Sequence, residues 1–114
     1  MMNTELFEKI KKEAEHGDFQ AIKILTYMAI NNNADAIISL KRLAEKGNPD
    51  AQREMGIYLD YYYAFLSLDH EDTTIDLSTK TNEVYFWWGK AAEQGDAFSK
   101  IRMEEYNEII LNKE

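Results

Sequence analysis

The stretch Tyr85-Phe-Trp-Trp-Gly-Lys-Ala-Ala-Glu-Gln-Gly-Asp-Ala-Phe98 decides how this chain reads, because weaker copies of it occur twice upstream. Around Gly47 the sequence runs Leu43-Ala-Glu-Lys-Gly-Asn-Pro-Asp-Ala51, and around Gly17 it runs Glu13-Ala-Glu-His-Gly-Asp-Phe-Gln-Ala21. Each copy is Ala-Glu-x-Gly followed by a polar residue, and each lies between two apolar-periodic segments. A helix-end signal repeated three times marks a chain built from repeated units.

Registering the copies on Gly17, Gly47 and Gly95 extends the likeness in both directions. Eleven residues before each glycine stand Leu6, Ala36 and Val84, and seven before stand Ile10, Leu40 and Trp88. Three before stand Ala14, Ala44 and Ala92. Four after come Ala21, Ala51 and Ser99, and eight after come Leu25, Met55 and Met103. All but Ser99 are apolar, and the spacing is helical on both sides of the glycine. The small residues flanking each glycine let two helices approach closely at their junction. The predicted fold is all-α: an α-solenoid of three helix-turn-helix hairpins, about six helices, forming one domain over 1–114.

Along the chain, Thr4 opens a first helix whose stripe is Leu6, Ile10 and Ala14. Gly17 closes it at a position suited to left-handed backbone, and Asp18 caps a second helix running to about Ile30. Asn31–Asn33 is a tight connection, with Asp35 near the next cap. Ala36, Leu40 and Ala44 carry helix three to Gly47; Asn48 then caps helix four, with Pro49 in its first turn. Ala51, Met55, Tyr58, Leu59, Tyr62 and Leu66 are read as inward over four turns. Residues 67–80 have no clean period and read as a long irregular loop. Helix five begins near Thr81 with Val84 and Trp88 inward. Helix six follows Asp96, with Ile101, Met103, Tyr106 and Ile110 as its apolar positions.

These residues resemble a known family. Trp87-Trp-Gly-Lys-Ala-Ala-Glu-Gln-Gly-Asp-Ala97 looks like the Trp-Tyr-x-Lys-Ala-Ala-Glu-Gln-Gly-Asp-Ala signature of Sel1-like repeats, relatives of the tetratricopeptide repeats. Ala51-Gln-Arg-Glu-Met-Gly-Ile-Tyr-Leu59 is similar to that family's Ala-Gln-x-x-Leu-Gly-x-x-Tyr half. The resemblance is strong over 84–97 and 43–59 and weak over 4–30. The family's Gly-x-Gly-Val loop is absent, replaced by Asn31–Asn33 and by 67–80. The resemblance implies a TPR-like protein-binding scaffold, not itself catalytic, with Gly17, Ala21, Ala44, Gly47, Ala51, Trp87, Trp88, Ala92 and Gly95 as its repeat framework.

Composition narrows the partners. Twenty-one acidic residues against thirteen basic ones give a net charge of −8. Such a surface repels phosphate backbones and steers a basic protein, so the expected partner is basic and not a nucleic acid. With no cysteine, no signal-like N-terminus and no apolar run of membrane-spanning length, the expected setting is cytoplasmic and away from a membrane.

Nothing in the sequence calls for an enzyme or a cofactor. His16 and His70 are isolated, and Asp69-His-Glu-Asp72 lacks the spacing of a calcium loop. No phosphate-binding loop or nucleophile elbow occurs. The tyrosine run stands apart: Tyr61 and Tyr63 cannot share the inward face with Tyr58 and Tyr62. Either they cover the neighbouring loop, or with Asp60, Asp69, Glu71 and Asp72 they form a contact patch for a basic partner. The expected function is a non-catalytic protein–protein interaction module. One specific form is an immunity protein that neutralises a basic bacterial toxin such as a nuclease effector; the alternative is a scaffold or adaptor in a regulatory assembly. Helix six has a polar outer face, which fits a monomer.

Overall fold

The structure, a computed structural model, describes residues 3–69 and 77–112, which form six α-helices and the turns between them. They are α1 (Thr4–Glu15), α2 (Phe19–Ile30), α3 (Ala34–Glu45), α4 (Pro49–Asp69), α5 (Leu77–Glu93) and α6 (Ala97–Asn112). No strand occurs among the described residues.

Four of the junctions are one turn made four times. Each places a residue in left-handed backbone: Gly17 (φ 87°), Asn32 (φ 68°), Gly47 (φ 101°) and Gly95 (φ 95°). That residue's amide donates to the carbonyl three back, and the next amide donates to the carbonyl five back. In the first turn these are Gly17 to Ala14 at 3.0 Å and Asp18 to Glu13 at 3.0 Å. Together they satisfy carbonyls that a helix end leaves open. The residue after the left-handed one then caps the next helix. Asp18 accepts from the amide of Ala21, Asn33 from Ala36, Asn48 from Ala51 and Asp96 from Ser99, all at 2.9–3.0 Å. The small residue so held is buried each time: Ala21, Ala36, Ala51 and Ser99 are at most 1% exposed. The Asn31–Asn33 connection is therefore the same turn as the glycine ones, with asparagine in the strained position. Helices α1, α2 and α3 are 12 residues each.

Two caps differ from the sequence reading. Asn3, not Thr4, caps α1 by accepting from the Leu6 amide at 2.8 Å, and Asn33 takes the place expected near Asp35. Asparagine competes at least as well as threonine or aspartate for an N-cap, so in each case the earlier Asn wins.

Helices consecutive in sequence pack against one another, and α2 also packs on α4. The molecule measures 52 × 36 × 17 Å with a radius of gyration of 15.1 Å. A spherical domain of this length would have a radius near ~13 Å, so the layers form a thin slab. Its core runs from Ile10 and Ala14 through Leu25, Leu40 and Met55 to Tyr58 and Trp87.

Both ends of the loop expected over 67–80 are helical, and residues 70–76 lie outside the described residues. Helix α4 continues through Ser67 to Asp69, and α5 starts at Leu77, before Thr81. That segment has no Gly or Pro to break a helix, and α4 and α5 form the most extensive helix pair, so pairing outweighs weak propensity. At 21 and 17 residues these two helices are much longer than α1–α3.

Exposure corrects several inward assignments. Leu6 is 46% exposed, Tyr62 41% and Ile101 57%. Leu66, Ala92, Met103 and Tyr106 are half-buried, and the side chain of Ile110 lies outside the described residues. Leu6, Ile101 and Met103 sit on the first and last described helices, which have fewer neighbours to cover them. Both tryptophans are buried, on different sides of α5. Trp87 joins the main core, while the Trp88 indole lies against Gly56 of α4 and donates to the Arg53 carbonyl at 3.2 Å.

Candidate partner-binding site

The first half of α4 holds a charged seam that the sequence reading did not single out. Residues 51–56 are all buried, among them Arg53 and Glu54, the latter 1% exposed. Arg53 Nε donates to Glu54 at 3.0 Å, and its Nη1 donates to Asp50 at 2.9 Å and to Asp96 at 2.7 Å. Lys23 of α2 reaches the same Glu54 oxygen at 3.6 Å. The Arg53 guanidinium lies 5.3 Å from the Phe19 ring centroid, a cation–π distance. Among the described residues Arg53 Nη2 is buried without a hydrogen-bond partner.

One side chain thus ties α4 to the start of α6 and to the face of α2. Burial would lower the Arg53 pKa, but the carboxylates around it outweigh burial and hold it above its ordinary value. Burial likewise opposes ionisation of Asp96; the Ser99 hydroxyl and amide and Arg53 overcome it and hold the carboxyl below its usual range. Beside this seam, Gln94 donates to the Gly47 carbonyl at 2.8 Å and to Gln52 at 2.9 Å, linking the third and fourth repeated turns. Apart from Arg53 Nη2, these groups satisfy one another, so the seam is structural.

The second half of α4 is the reverse. Tyr58, Tyr61, Tyr62 and Phe65 recur at helical spacing on one face and, with Ile30 and Asn32 at the end of α2, line a cavity of about 150 Å³. Tyr58 is its floor at 8% exposed; Tyr61 (59%), Tyr62 (41%) and Phe65 (60%) form its rim. The Tyr58 and Tyr62 rings lie 6.1 Å apart at 31°. A wider concavity of about 870 Å³ lies at the α1–α2 turn, but its walls, such as Lys9, Lys12, Glu13 and His16, are exposed and of both charges. It is an open trough, less enclosed than the aromatic cavity. The aromatic cavity has the character of a binding site.

Of the residues expected to touch a partner, the structure brings Tyr61 to this cavity and sends others elsewhere. Tyr63 is half-buried, not exposed, and its hydroxyl donates to Glu83 of α5 at 2.6 Å; burial and then that bond push its pKa up to about 12. Asp60 is exposed and its field reaches Tyr85 of α5, whose hydroxyl is raised first by burial and then by Asp60. Asp69 is the last residue of α4, and His70, Glu71 and Asp72 lie outside the described residues. Phe65 was missed, although the spacing 58, 61, 62, 65 was there to find it.

Among the described residues no group of three or more His, Asp or Glu side chains could hold a metal, and no helix is long and apolar enough to cross a membrane. The fold that frames the cavity is an all-helical one of six helices. Comparison with known proteins returns no significant match to a protein-family model, to a curated protein or to a solved structure.

Proposed function

We propose that the chain is a short Sel1-like α-solenoid of three hairpins that works as a non-catalytic interaction module, binding one basic protein through the second half of α4. The observation that carries this reading is the contiguous aromatic face of Tyr61, Tyr62 and Phe65 left exposed beside a cavity. Large aromatics left on a surface with a pocket between them are the usual anchors of protein recognition. The solenoid reading draws support from the four repeated turns, the hairpin-by-hairpin packing and the thin slab shape.

Charge supports the sign of the partner. Between Arg53 and Lys80 the sequence carries Glu54, Asp60, Asp69, Glu71, Asp72 and Asp76 and neither Lys nor Arg. A basic surface approaching this end is attracted, and the attraction weakens as salt screens it. A small acidic binder of this kind fits neutralisation of a basic toxin domain, with the partner's surface occluded by α4.

The test is affinity isolation with the wild-type chain and Tyr61→Ala in parallel. One stoichiometric basic protein, retained by wild type, lost from the variant and held more weakly at raised salt, is expected. Equal retention by both chains overturns the assignment of the face. For the toxin version, co-expression with that partner should relieve its toxicity; a harmless partner removes it.

A further inference from the structure

Resting on the reading just given, we infer that the aromatic cavity between α2 and α4 is a receptor for a single arginine side chain of the basic partner. Its size decides first. Sites for drug-sized ligands occupy roughly 300–1,000 Å³, and about 150 Å³ is room for one side chain. Its walls decide the chemistry. Tyr58, Tyr61, Tyr62 and Phe65 line it with aromatic rings, and the face of such a ring carries negative quadrupole charge that attracts a cation. No Lys or Arg lines the cavity, so an entering cation meets no competing charge there.

The surroundings agree with the walls. Asp60 is exposed beside Tyr61, Asp69 ends the same helix, and no Lys or Arg stands between Arg53 and Lys80 in the sequence. Asn32 is among the lining residues, and an asparagine carries a carbonyl acceptor of the kind a guanidinium N–H needs. Arginine is favoured over lysine because its planar, weakly hydrated guanidinium stacks on rings and gives up water more readily. The same chemistry already operates within the fold, where the Arg53 guanidinium lies over Phe19 and that of Arg102 lies 5.0 Å from the Phe98 centroid.

The probes are N-acetyl-arginine methylamide and its neutral isostere N-acetyl-citrulline methylamide, titrated into the full chain and followed by amide NMR shifts. Arginine amide is expected to shift Asn32, Tyr61 and Tyr62 and to bind about tenfold more tightly than the citrulline compound, the ratio expected of a partly desolvated cation–π contact. Tyr61→Phe should keep this preference, since the ring remains, and Tyr61→Leu should abolish it; Tyr61 is exposed enough for the fold to persist in both variants. Equal binding of the two probes, or arginine shifts spread over the acidic surface and absent from the cavity, overturns the inference. If Tyr61→Leu loses the protein partner while arginine and citrulline bind alike, the cation receptor fails and the partner-binding face survives. If arginine fills the cavity but Tyr61→Ala retains the partner, the partner-binding reading fails instead.

Discussion

The two halves of α4 make opposite use of one helix. In residues 51–56 every side chain is buried, including a charged pair, whereas Asp60, Tyr61, Tyr62, Ala64 and Phe65 face water. The usual order of polarity is inverted: charges inside, aromatics outside. Inside, Arg53 and Glu54 persist because Asp50, Asp96 and Lys23 partner them. Outside, only Ile30 at the end of α2 and Asn32 just after it border the rings, because α2 has 12 residues and α4 has 21. A helix longer than its neighbour must leave its last turns bare. The first half is scaffold; in the second half α5 engages Tyr63 through Glu83, while Tyr61, Tyr62 and Phe65 stay exposed.

The contrast breaks most sharply at the seam. Arg53→Ala leaves Glu54 and Asp96 without their shared cation, and removing one partner of a buried pair costs about 3–5 kcal/mol. Urea unfolding should report a loss of that size; a change below about 1 kcal/mol, typical of surface pairs, would place the seam among them. Gly56→Ala comes next. A methyl group there would meet the Trp88 indole directly, and overpacking of this kind costs about 1–3 kcal/mol. Thermal unfolding, with tryptophan emission reporting the displaced ring, checks it.

The acid limb of stability follows from Asp96. Its folded pKa is depressed, so its contribution is fully present above the unfolded value near ~4 and is lost as pH falls through the folded value. Urea midpoints measured from neutral pH downward should therefore fall more steeply for wild type than for Asp96→Asn, and parallel curves would remove Asp96 from the account. The smallest effect belongs to the outer half. Tyr61→Ala and Phe65→Ala should each leave stability within about 0.5 kcal/mol, as exposed positions do. A loss of 2 kcal/mol or more would make these rings part of the scaffold.

Several features were legible because they depend on local chemistry. The helix ends at Gly17, Gly47 and Gly95 follow from glycine's tolerance of left-handed backbone, and the caps Asp18 and Asn48 from short polar side chains beside them. The burial of both tryptophans follows from their size. Asn32 was harder to read, since asparagine only sometimes enters left-handed backbone, and the full equivalence of its turn needed the hydrogen bonds to be seen. The candidate site was half legible. Tyr61 was found, but Tyr63 was assigned to the same surface because its hydroxyl's partner, Glu83, stands 20 positions away on another helix.

By itself the sequence determined an all-helical chain, where its helices turn, and a net charge of −8, because turn chemistry and net charge are local or additive. Tertiary structure alone decided that Arg53 would bind Asp96 across 43 residues, that α4 and α5 would lengthen into 67–80, and that Tyr61, Tyr62 and Phe65 would surround a cavity. Those outcomes depend on which helix lies beside which and where each neighbour stops. Helical periodicity places a side chain on a face; only packing determines whether anything covers it.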